Sequence, residues 1–200
     1  MEVREAIAYR KSLIEKAMAG QKLTENQREW LASNPIYNDK LGDSFLNLDI
    51  LRISPQTEYL VHIKLLSNLK GEYGIPLVGI PWGQGFVQAA GTVRDLNGKE
   101  FTRKKVKLLG IEIDDLHRQT TLRICSALGL LSVAYIYEYR MEESRAVVRK
   151  SSSTGDLRYA MRRTAENGVY MYECKQPSND NMKALVFSLE LQPAGSVQPT

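Results

Sequence analysis

A few of the chain's carboxylates, imidazoles and thiols stand in patterns that could do chemistry. Glu112, Asp114 and Asp115 crowd the end of an apolar run. Three carboxylates at a loop of a β-domain can hold a hard cation such as Ca²⁺, with Asp39 or Asp43 completing the shell. Their spacing is not that of an EF-hand, and a charged strand end also repels edge-to-edge pairing. His62 and His117 are the only histidines, and neither has a second metal ligand shortly after it. Cys125 and Cys174 lie far apart, with no CxxC pair and no zinc spacing. Both fall on strand-like runs and read as structural thiols in a reducing compartment.

A second constellation is Asp156 followed by Glu173-Cys174-Lys175. Val169 to Lys175 reads as a strand behind an Asn167-Gly168 turn, and strand alternation puts Glu173 and Lys175 on one face. This spacing resembles nucleases of the PD-(D/E)xK type over about twenty residues. The resemblance implies that Asp156 and Glu173 hold Mg²⁺ and that Lys175 positions the attacking water. The chain departs from the pattern in having Gly155 where the family has proline, and in lacking an α/β rhythm. The alternative is a cross-strand charge pair.

Two further groups point to recognition. The stretch from Gly71 to Gly85 is rich in Gly and Pro and lacks a phosphate-loop signature. It reads as a recognition loop in which Tyr73, Trp82 and Gln84 meet the ligand. Basic residues cluster at 99–107, where five Lys/Arg face the single Glu100, and at 145–163, where six face the single Asp156. Lys99, Arg103, Lys104 and Lys105, with Arg158, Arg162 and Arg163, are the nucleic-acid candidates. Tyr170 and Tyr172 could extend the second cluster into a stacking platform.

The elements that must position these residues change period along the chain. Val3, Ala6, Ile7, Leu13, Ile14, Ala17 and Met18 recur at helical spacing, and Gly20 stands where a helix ends. Thr24-Glu25-Asn26-Gln27 is a capping box for a second helix, which Asn34-Pro35 must end. Together they predict a helical hairpin over 1–34 that docks on the body or on a partner. From Phe45 onward apolar residues alternate with a period of two, and the phase slips near Ile50 as at a bulge. Leu131, Val133, Tyr135, Tyr137 and Tyr139 give the cleanest alternation, and Val106 to Ile113 reads as a central strand. Asn97-Gly98 and Asn167-Gly168 each predict a type I′ hairpin turn. The expectation is a mainly β, α+β protein: the helical hairpin, an antiparallel β-sandwich or jelly-roll-like domain over 44–192, and a polar tail over 193–200.

Composition narrows the classes. The 200 residues carry a net charge of +4, are 43% hydrophobic and contain two cysteines. That excludes a disordered chain, a collagen and a disulfide-dense mini-protein. The first residues lack a signal-peptide pattern, and no apolar run reaches a membrane span. The expected function is non-enzymatic: a cytoplasmic accessory module, bacterial or phage, that binds a protein partner through loops. It needs no cofactor, and Mg²⁺ or Ca²⁺ enters only under the metal readings. The alternatives are a nucleic-acid binder and the Mg²⁺-dependent nuclease.

Overall fold

The computed structural model describes residues 3–38, 42–68, 72–89, 92–94, 100–102, 105–110, 118–140, 147–151, 160–175 and 185–195. Two helices open the chain: α1 (Val3–Met18) and α2 (Glu25–Ser33). Gly20 ends α1 at a φ of +75°, which glycine adopts without strain. Its N–H bonds to Ala17 O at 3.1 Å and the Gln21 N–H to Lys16 O at 3.0 Å, closing a Schellman turn. Thr24 caps α2 through both bonds of the capping box. Arg10, which breaks the apolar stripe of α1, reaches the far end of α2. Its Nη2 donates to Asn34 O at 2.8 Å and Pro35 O at 3.2 Å.

The apolar stripe is narrower than its sequence suggests. Leu13 and Ala17 are buried, while Ile7 and Met18 are 58% and 73% exposed. Leu13, Ala17, Leu23 and Leu31 form one core with Ile50 and Leu130 of the sheet and with Leu128 in the turn before Leu130. Each fully buried leucine contributes about 2 kcal/mol of transfer free energy. The helices also touch one another: the Tyr9 and Trp30 rings meet edge to face at 4.8 Å. Among the described residues no helix is long and apolar enough to cross a membrane.

The strands are β1 (Ile36–Asn38), β2 (Gly42–Arg52), β3 (Glu58–Asn68), β4 (Glu72–Gly79), β5 (Gly85–Ala89), β6 (Thr92–Arg94), β7 (Glu100–Thr102) and β8 (Lys105–Val106). They continue as β9 (Leu108–Gly110), β10 (Gln119–Ser126), β11 (Leu130–Arg140), β12 (Val147–Ser151), β13 (Met161–Glu166), β14 (Val169–Cys174) and β15 (Leu185–Pro193). The large sheet is antiparallel and runs β8-β5-β10-β3-β15-β14-β13-β2-β11-β4-β9, with β1 on β2 and β12 on β11. Its two ends, β8 and β9, are separated only by Lys107, so the sheet is nearly closed on itself. Val106 to Ile113 is therefore not one central strand. Its first residues pair with β5 and the next with β4, and 111–113 lie outside the described residues.

The core lies inside this curled sheet. Leu51, Val61, Ile63, Val87, Leu122, Val133, Tyr135, Phe187 and Leu189 meet there, as strand alternation requires. Asn167-Gly168 forms the two-residue turn between β13 and β14, with φ of +51° and +80°. The Asn97-Gly98 turn lies outside the described residues; β6 and β7 on either side of it pair antiparallel. The phase slip in β2 sits earlier than expected. Ile36 pairs with Leu48 and Tyr37 with Leu46, so one extra residue of β2 is taken up at Asn47 rather than near Ile50.

Candidate functional site

Three short connections and the link between the helices converge at one end of the sheet. The residues after β2, the residues after β4 and the turn between β10 and β11 are stitched by backbone bonds. Gln56 N–H donates to Ser126 O at 2.9 Å, Ala127 N–H to Gln84 O at 2.8 Å and Ile80 N–H to Lys107 O at 2.8 Å. The end of α1 and the Gly20–Leu23 link lie over them. Between the two parts is a cleft of about 820 Å³, walled by Met18, Leu23, Pro55, Ile80, Trp82 and Leu128. That volume falls within the range of small-ligand pockets.

Polar groups are set into this apolar wall. Gln21, Gln56 and Gln84 line the cleft, as do Lys22, Arg28 and Lys107. No described Asp or Glu lines it. Arg28 pairs with Glu25, which also holds Arg52. The Arg28 Nε is buried with no hydrogen-bond partner among the described residues. Lys107 Nζ donates to Gly83 O. Two of the lining residues are held in left-handed backbone: Gln56 at a φ of +59° and Trp82 at +47°. Such a conformation is unusual for a bulky side chain and costs on the order of 1–3 kcal/mol.

The expected recognition residues divide. Trp82 and Gln84 line the cleft. Tyr73 does not join them, because 72–79 is strand β4 rather than loop. Tyr73 pairs with Glu138 while Gly79, at the cleft end, pairs with Ser132. The six intervening steps amount to about 20 Å along the strand. Gly74, Pro76 and Gly79 make the segment look like a loop, yet all three pair with β11. Among the described residues the β9 ladder covers Leu77 to Gly79 of β4, and Pro76 pairs with Tyr135 of β11 on the other side. At Gly79 a Cβ would lie 2.7 Å from the Leu108 side chain and 3.0 Å from Ser132 Oγ.

A second polar cluster lies inside the sheet. The slip at Asn47 turns Asp49 inward, where it is fully buried. Arg163 Nη1 reaches its two carboxylate oxygens at 2.8 and 3.1 Å, and the Tyr172 hydroxyl donates to Oδ2 at 2.7 Å. The Ile50 N–H donates to Oδ1 at 3.0 Å. Burial, the largest single influence, works against the Arg163 cation, but the Asp49 charge, the Tyr172 and Tyr170 phenols and the hydrogen bond to Asp49 together outweigh it and raise the guanidinium. Burial and the same carboxylate push the Tyr172 phenol well above its ordinary value.

Of the basic-patch candidates, Arg163 is exposed on β13 and pairs with Asp49. Tyr172 faces the core, stacked on Phe187 at 4.9 Å, and cannot serve an external stacking platform. Arg162 sits opposite Glu173 on the neighbouring strand. Lys105 lies over the Phe86 ring at 4.0 Å. Lys99, Arg103, Lys104 and Arg158 lie outside the described residues, as do Glu112, Asp114, Asp115 and Asp156.

Around the nuclease candidates, Tyr172 and Cys174 point into the core, and Glu173 and Lys175 alternate with them, half-buried. The Lys175 backbone binds the residue before β13 and a side chain of β11: its N–H donates to Ala160 O at 2.8 Å, and its O accepts from the Tyr135 hydroxyl at 2.7 Å. Both cysteines are free thiols, and burial raises that of Cys174. Among the described residues no group of three or more His, Cys, Asp or Glu could hold a metal ion.

Sequence reasoning missed Asp49, because β2 read in plain alternation puts it on the polar face. Lys107, counted in the basic cluster at 99–107, stands instead on the wall of the cleft. Comparison with family models, curated proteins and solved structures finds no match to the chain.

Proposed function

We propose that the chain is a non-enzymatic binding module that receives a segment of a protein partner in the cleft between its helices and the end of its sheet. The observation that carries this reading is Trp82. A tryptophan is held at a φ of +47°, on the wall of an apolar cleft, beside Gln56 at +59°. Backbone strain of this kind persists where the surroundings over-determine it, and it gathers at ligand contacts. The nearly closed sheet supports the reading as a rigid scaffold for loops. Residues 105–110 pair with β5 at one end and β4 at the other, which favours a flattened barrel over two separate sheets.

The test is affinity capture from native lysate with the full chain, followed by amide hydrogen exchange on the reconstituted complex. The expected result is protection of 18–23, 54–56, 80–85 and 127–128, and loss of capture with Trp82→Ala. Protection confined to other surfaces, or capture indifferent to Trp82→Ala, overturns the reading.

A further inference from the structure

The cleft's charge says more than its shape. Of the three cations that line it, Arg28 has Glu25 as its partner. Lys22 and Lys107 have no carboxylate partner among the described residues, and they stand on different parts of the fold. Lys22 lies in the link between α1 and α2. Lys107 lies between β8 and β9, where the two ends of the sheet meet. A ligand seated between the helices and the sheet end meets positive charge from both sides and no described acid. The buried Arg28 Nε adds a donor without a partner among the described residues, and unpaired buried donors are rare in folded proteins.

We propose that the segment this cleft receives is acidic: a peptide whose Asp or Glu side chains meet Lys22 and Lys107 while an apolar neighbour packs on Trp82. The inference rests on the binding-module reading and adds the chemical class of the partner segment. Three glutamines along the cleft offer amide donors and acceptors, which match a peptide backbone. The apolar wall fits side chains of an amphipathic segment. A nucleic-acid strand fits less well. It draws on a row of phosphate contacts with repeated stacking platforms, whereas this cleft offers one indole and two lysines without a carboxylate partner among the described residues, one of them, Lys107, also held by Gly83 O.

A random-peptide display selection on the immobilised full chain tests this. Selected peptides are then titrated by fluorescence anisotropy against the wild type, Trp82→Ala, Lys22→Glu and Lys22→Arg, with a labelled dT oligonucleotide in parallel. The expected peptides bind in a Trp82-dependent way and carry more Asp and Glu than Lys and Arg. Lys22→Glu weakens them about ten-fold, Lys22→Arg leaves them within about two-fold, and added salt weakens the wild-type complex. Trp82-dependent peptides with no acidic excess overturn the charge inference and leave the cleft as a binding site. Failure to select any Trp82-dependent peptide overturns both. Tighter Trp82-dependent binding of the oligonucleotide than of any peptide overturns the inference in favour of nucleic acid.

Discussion

The interior cluster at Asp49 and the cleft at Trp82 use similar side chains to opposite ends. At Asp49 both carboxylate oxygens are taken by Arg163, with Tyr172 and the Ile50 N–H as further donors. At the cleft, Lys22 and Lys107 have no carboxylate among the described residues, and two residues are held in strained backbone. A buried charge that has its partners cannot greet a ligand; it fixes which strands neighbour one another. A cleft with spare charge and stored strain contributes little to stability and leaves groups for a partner. Five substitutions separate these roles, each expected to act mainly on one region.

The largest effect belongs to Asp49→Ala. It strands the Arg163 cation and the buried Tyr172 hydroxyl, and loss of one member of a buried pair costs about 3–5 kcal/mol. Arg163 keeps a 33% exposed side chain and can turn partly to water, which places the expectation near the lower end. Urea denaturation measures it. A loss under about 1 kcal/mol would mean that the cluster does not hold the strands together.

Next is Leu130→Ala, which opens the core shared by Leu13, Leu31 and Ile50. The expected cost is about 2–4 kcal/mol. Hydrogen exchange should show α1 and α2 opening before the sheet. Simultaneous opening would show that helices and sheet unfold as one unit, so that the cleft is no separable region.

Tyr172→Phe is milder, at about 1 kcal/mol, because Arg163 and the Ile50 N–H still serve Asp49. Its signature is in alkaline solution. Burial and the Asp49 charge raise the folded Tyr172 phenol well above 10.0, and burial with the Glu173 charge raises the Cys174 thiol well above 9.0. The unfolded chain therefore loses these protons first as pH rises. The contribution to stability is whole below about pH 9 and falls as the pH climbs from there through the raised folded values. Tyr172→Phe and Cys174→Ala should each flatten that decline. A slope unchanged in both variants would assign it to other groups.

The same contrast explains what the sequence made legible. Gly20, the Thr24 capping box and Asn167-Gly168 act within a few residues, and each forms the turn or cap that its chemistry dictates. Alternation likewise placed Val61, Ile63, Phe187 and Leu189 in the core. Asp49 was hidden because its face depends on a slip against β1, a pairing that no local pattern announces. Arg163 lies on an exposed strand face, but its pairing with Asp49 is hidden in the sequence because the two are far apart in the chain. Trp82 and Gln84 were legible as members of a Gly/Pro-rich connection. Gln56, Lys22 and Lys107 were not, since only the folded chain brings their segments together.

Trp82→Gly carries the smallest stability change and the sharpest test of the contrast. Glycine adopts the φ of +47° freely, so relief of strain should return about 1 kcal/mol. The indole also packs against the core of Leu128 and Leu130, and its removal costs a comparable amount, because the ring is only partly buried. The two terms oppose, and the midpoint of urea denaturation should move by less than about 1 kcal/mol in either direction. Ligand binding has no such offset: the ring is lost from the cleft wall, and affinity for a cleft-bound segment should fall more than about ten-fold. Stability and binding measured on the one variant thus give opposite answers if Trp82 is held for a ligand. If Trp82 is held for the fold, stability falls by about 3 kcal/mol, the usual cost of truncating a core aromatic, and any loss of binding follows from unfolding.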